Sequence, residues 1–168
     1  MRFGDMPEDT WYYKAVSFIA AREITSGTGD GNFSPRANLK RADFLVLIMR
    51  AFGLDPDESP IDNFADADDT YYTGYLAAAK RLGTAGGGDN RFAPEREITR
   101  QEMFTFLYNA LKKPGKLPGG DSGRTLSDFS DSADIAAWAK EAIEHLVRAG
   151  IIEGSGGKLS AARPDHQG

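Results

Sequence analysis

In GTGDGNFSPRANLKRAD, running from Gly27 to Asp43, the side chains of Asp30, Asn32 and Ser34 alternate as the opening ligands of a calcium loop would. The sixth position of such a loop needs glycine and is Pro35. The twelfth needs a bidentate glutamate and is Arg41. A cation therefore stands where the last metal ligand belongs, and the stretch does not read as a metal site. What it offers is acceptor oxygens, glycine backbone and a guanidinium.

The same failure occurs twice. A shift of 59 residues lays Gly27 on Gly86, Gly29 on Gly88, Asp30 on Asp89, Phe33 on Phe92, Pro35 on Pro94 and Arg41 on Arg100. Thr25 and Thr84 agree as well, as do Ala51 and Ala110; Asp43 falls on Glu102. A repeated departure at fixed spacing marks a second design. The fronts of the units also match: Phe3-Gly4-Asp5, Phe64-Ala65-Asp66 and Phe129-Ser130-Asp131 each precede an amphipathic helical pattern. A third unit continues through Gly154, Gly156 and Gly157, with its glycine loop one residue shorter, and SAARPDHQG then carries no second helix.

Each full unit reads as helix, glycine loop, helix. The second helices are expected over Lys40–Phe52 and Arg100–Leu111, with Thr99 and Glu102 forming a capping box; Lys40 leaves the first unit its acid, Asp43, without the cap. The organisation expected is repeat 1 over 1–58, repeat 2 over 59–116, a turn-rich linker at 117–126 within KPGKLPGGDSG and its surroundings, and a partial repeat 3 over 127–168. One unit is too small to hold a core alone. Three would share one, so the fold expected is all-α, a closed cluster with approximate threefold symmetry, with Trp11, Tyr71 and Trp138 mostly in the core.

At 168 residues with a net charge of −5, the chain gives a nucleic-acid partner no electrostatic support. It has no cysteine, so thiolate metal sites and disulfides are excluded, and no apolar run reaches the ~20 residues of a membrane span. The start, MRFGDMPED, has no leader pattern, which leaves a cytosolic protein or a piece of a longer exported chain. No cofactor motif is present.

F-x-D, an amphipathic helix, G-x-x-G-D-G-x-F-x-P, then hydrophobic-T-R-x-E opening a second helix: this order resembles the S-layer homology family. It is clearest in Ile98–Met103 (ITRQEM) and looser in Leu39–Phe44 (LKRADF), and covers about 3–166. The resemblance implies a three-pronged helical spindle with ligand grooves between prongs. It implies non-covalent binding of secondary cell-wall polysaccharide, commonly carrying ketal pyruvate on N-acetylmannosamine, by an exported protein at the bacterial surface. Arg163 stands too early to carry the family arginine.

An anionic sugar suits these residues. Arg41 and Arg100 fall in first helical turns, where backbone N–H groups and the helix dipole favour anions, and a guanidinium grips a carboxylate through two parallel bonds. Gly27, Gly29, Gly86, Gly87 and Gly88 let backbone approach a ring closely, and Asp30, Asp89, Asp66 and Asp131 would accept from sugar hydroxyls. The plainer alternatives are capping for Asp43 and Glu102, positive φ after the first helix for Gly27 and Gly86, and structural ion pairs for Arg41 and Arg100. A scaffold that self-associates through the unfinished third unit, without binding sugar, is the second functional reading. Neither His145, expected exposed, nor His166 has a nucleophile partner, and no carboxylate pair stands in a recognisable frame, so no enzyme is expected.

Overall fold

The computed structural model describes residues 2–86 and 88–163. These form five α-helices and no strand: α1 (Tyr13–Ala21), α2 (Arg41–Ala51), α3 (Thr73–Leu82), α4 (Arg100–Lys112) and α5 (Lys140–Arg148). Gly87, Pro164 and His166 lie outside the described residues. Helices α2 and α4 occur within a residue of the expected bounds. Thr99 accepts from the Glu102 N–H at 3.4 Å and Glu102 accepts from the Thr99 N–H at 2.9 Å, so the capping box fixes where α4 begins. At α2 there is no side-chain cap. Asp43 instead accepts from the Tyr71 hydroxyl.

Each second helix packs against the first helix of the next repeat, α2 on α3 and α4 on α5, and α2 also packs on α4. Leu45, Met49, Leu76, Phe92 and Ile98 fill the core between repeats 1 and 2. Phe129, Ile143, Leu146 and Leu159 fill that between α4 and repeat 3. Each such side chain, taken out of water, contributes roughly 1.5–3 kcal/mol. Helix α1 takes no part in these substantial helix contacts. Its Val16 and Ala20 pack with Phe3 and Met6 in a small separate cluster.

The aromatics expected in the core point outward: Trp11 is 80% exposed, Tyr71 62% and Trp138 57%. The apolar register is displaced by one residue, so that Tyr72 and Ala139 are the buried members of their pairs. The linker is docked rather than loose. The Ser122 N–H and hydroxyl both donate to the end of α5, at Arg148 O and Val147 O, and the half-buried His145 ring lies 3.1 Å from Pro118 O.

One aspartate closes each repeat. Asp5 accepts from the N–H groups of Phe33 and Ser34, Asp66 from Phe92 and Ala93, and Asp131 from Leu159 and Ser160, all at 2.6–2.9 Å. The front of the unit is thereby tied to the far end of its glycine loop. Burial pushes Asp66 and Asp131 up, but these backbone bonds outweigh it and hold both below the usual carboxylate range.

Candidate functional site

Arg41 does not serve its own loop. Its backbone N–H donates to Arg96 O, and that of Ala42 donates to Pro94 O, both in the loop of repeat 2. Its Nε donates to Phe92 O at 2.8 Å, and its guanidinium carbon lies 4.5 Å from the Phe92 ring centre and 5.2 Å from that of Phe106. Arg100 repeats the arrangement one unit on: its N–H donates to Arg163 O, the Gln101 N–H to Ala161 O, and its Nε to Leu159 O at 3.1 Å. The N–H groups expected to receive an anion therefore receive carbonyls of the next repeat. Arg163 occupies the place of Arg96, which is why it does not align with Arg41 and Arg100.

The Arg41 guanidinium is 7% exposed and lies 2.7 Å from the Glu102 carboxylate, which Arg96 also contacts. Burial pushes Arg41 down from its ordinary value while Glu102 raises it, and it stays a cation. Burial raises Glu102, but Arg96, the Thr99 N–H and Arg41 hold it below the usual range. Glu102 is thus both a cap and an ion-pair partner.

Two grooves occupy equivalent places. The first, of about 510 Å³, lies between repeats 1 and 2 and is lined by Gly27, Thr28, Ser34, Ala37, Asn38, Asp43, Arg50 and Tyr71 among others. The second, of about 630 Å³, lies between repeats 2 and 3, where Gly86, Ala93, Arg96, Glu102, Asn109 and Trp138 take the corresponding positions and Gly88, Arg41 and Arg91 join them. The exposed aromatics are therefore groove walls: Tyr71 in one, Trp138 in the other. That role is not visible in composition, but the recurrence of an aromatic at one position of three helices, with an adjacent residue taking the core place, is the signal that could have found it.

Of the expected site residues, Arg41, Gly86, Gly88 and Glu102 meet in the second groove, and Gly27 and Asp43 in the first. Gly29, Asp30, Asp89, Arg100, Asp66 and Asp131 line neither. Gly27 has φ of +80°, and an added Cβ would strike the Asn32 carbonyl and approach the Phe3 ring to 2.6 Å, so it is required for loop closure. It does not cap α1, which ends at Ala21. Gly86 has no positive φ and open space around it; Gly83, at φ +67°, caps α3. Arg91, Arg96 and Trp138 in the second groove, and Asn38, Arg50 and Tyr71 in the first, are among the groove residues not anticipated as ligand contacts.

The S-layer homology domain model matches residues 2–45, 63–104 and 128–161. The chain is 29% identical over 154 residues to the S-layer protein sap of Bacillus anthracis, covering 92% of this chain and 18% of that protein. It is 31% identical over 157 residues to the surface-layer 125 kDa protein of Lysinibacillus sphaericus, covering 92% and 13%. It is 26% identical over 162 residues to an amylopullulanase of Thermoanaerobacterium thermosulfurigenes, covering 96% and 8%. The chain spans less than a fifth of the length of these relatives.

Proposed function

This chain belongs to the S-layer homology domain family, and we propose that it holds an exported protein on the bacterial cell surface by binding an anionic secondary cell-wall polysaccharide non-covalently. The observation that carries this reading is the second groove, where Arg41, Arg91 and Arg96 meet one acid and an exposed Trp138 in a chain that is acidic overall. The guanidinium groups supply charge-assisted bonds to a carboxylate such as a pyruvate ketal, each worth roughly 1.5–3 kcal/mol. Trp138 supplies a flat face for a sugar ring, and Gly86 and Gly88 leave backbone accessible beside it. In this reading Asp66 and Asp131 brace the loops, and the repeats are prongs of a threefold spindle.

Relatives named as S-layer proteins and a relative named as an amylopullulanase share this segment with otherwise different chains, which suits an attachment module. The test is co-sedimentation with purified Gram-positive cell walls before and after the secondary polymer is stripped. Polymer-dependent pelleting supports anchoring. Pelleting that survives stripping, or none by the folded protein, contradicts it.

A self-associating scaffold is the second reading, favoured by exposed aromatics of repeat 1: Phe18 on α1 is 54% exposed and Trp11, just before the helix, 80%. A concentration-dependent dimer in light scattering, with no wall binding, would put this reading first.

A further inference from the structure

The two grooves occupy the same place in successive repeats, and their charges differ. The second contains three arginines and one acid, leaving an excess of two positive charges. The first contains one arginine and one acid, leaving none. The difference is the balance of three substitutions, one of them Asn109 in place of Arg50, and one handover between repeats. Arg91 and Arg96 stand where repeat 1 has Asn32 and Ala37, and Arg41 reaches the second groove from the preceding repeat. The one cation of the first groove, Arg50, is turned to Tyr75, its Nε 3.2 Å from that hydroxyl and its guanidinium carbon 5.7 Å from the ring centre. The acid there, Asp43, holds the Tyr71 hydroxyl that forms the opposite wall. Thr28 and Ser34 present hydroxyls 2.6 Å apart, and Asn38 adds an amide whose N–H also donates to Glu97.

We infer that the grooves divide the polymer between them, the second taking a carboxylate-bearing sugar and the first an uncharged one. A carboxylate in the first groove would meet Asp43 with Arg50 alone to offset it, whereas in the second groove three arginines face one acid. Like charges at contact distance disfavour binding, whereas hydroxyls and an amide suit the hydroxyls of a neutral ring. Arg91 and Arg96 are then the specificity-determining residues, because they distinguish the two grooves. This inference rests on the polysaccharide reading above. It also fixes register: a polymer bound at both grooves must place its charged and neutral units in one order along the chain. Two modest sites on one polymer then act together through effective concentration.

The experiment is an NMR titration of the whole chain with two probes, N-acetylmannosamine carrying a pyruvate ketal and plain N-acetylmannosamine. The Trp138 indole N–H and the Gly88 amide report the second groove; the Ser26 and Asn38 amides report the first. The acidic probe should move the second set at concentrations about tenfold or more below those that move the first, the scale of one charge-assisted contact. Arg91→Gln/Arg96→Gln, both in exposed positions, should abolish that preference. Asn32→Arg/Ala37→Arg should draw the acidic probe into the first groove. The plain sugar should show no preference for the second. Equal saturation of both grooves by the acidic probe, or a preference that survives Arg91→Gln/Arg96→Gln, overturns the division of labour while leaving polysaccharide binding intact. An acidic probe that moves neither set overturns the anionic-sugar reading itself.

Discussion

Arg41 of repeat 1 and Glu102 of repeat 2 form a buried ion pair, 2.7 Å apart, that joins the start of α2 to the start of α4. The pair is braced on both sides. Arg41 donates to Phe92 O, and Glu102 accepts from the Thr99 N–H while contacting Arg96. Its place at the back of the second groove makes it a structural tie and the base of the candidate site together.

Arg41→Ala should therefore destabilise the fold, by on the order of 3 kcal/mol, since removing one member of a buried pair leaves the other short of its partner. Arg41→Lys should recover only part, because an ammonium cannot serve the Phe92 carbonyl and the carboxylate with a guanidinium's planar geometry. Urea unfolding of both variants and of Arg41→Ala/Glu102→Ala checks this. The double variant should lose less than the two single losses added together.

Acid should weaken the fold through Glu102, Asp66 and Asp131. All three have folded-state values below their ordinary ones, so their contribution is present above the unfolded values, about 4.3 for glutamate and 3.9 for aspartate. It is lost as pH falls through the lower folded values. Thermal midpoints should be flat above about pH 5 and fall below about pH 4, and Glu102→Gln should reduce that dependence.

Gly27→Ala should be far more damaging than Gly86→Ala, although the repeat superimposes the two. At Gly27 the backbone is left-handed and the new methyl group strikes backbone and the Phe3 ring; at Gly86 it meets nothing within 4 Å. Left-handed backbone alone is unfavourable by about 1–2 kcal/mol for a residue with a Cβ. Chemical denaturation should show a loss above that for Gly27→Ala and near zero for Gly86→Ala.

Helix α1 should open before the rest. Its cluster of Phe3, Met6, Val16 and Ala20 is separate from the two larger cores, and its outer face is exposed. Amide hydrogen exchange should be faster in α1 than in α3, α4 or α5, as expected of a region with few buried apolar contacts. Equal protection in all four helices would contradict this.

The second helices and the glycine loops were legible because their signals are local: apolar spacing, a capping box, and a motif repeated at 59 residues. The direction of the arginines was not. A motif in which Gly-Asp and Arg lie close in sequence suggests that they meet, whereas the turn carries Arg41 to the following repeat's Phe92 carbonyl. The outward turn of Trp11, Tyr71 and Trp138 was hidden for a similar reason. Periodicity locates an apolar stripe to within a residue, and here that residue separates core from groove. Asp5, Asp66 and Asp131 were legible as repeated acids, but only the fold pairs each with two N–H groups some thirty residues away.

The most direct test of groove binding compares Trp138→Ala with Trp11→Ala in wall co-sedimentation. Both side chains are exposed, at equivalent positions of their repeats, but Trp138 lines the arginine-rich groove and Trp11 lines neither described groove. Retention on polymer-bearing walls should fall about tenfold or more for Trp138→Ala, as for a binding hot spot, and stay at the wild-type level for Trp11→Ala. Equal loss from both variants, or none from Trp138→Ala, would contradict binding through the groove that Arg41 and Glu102 build.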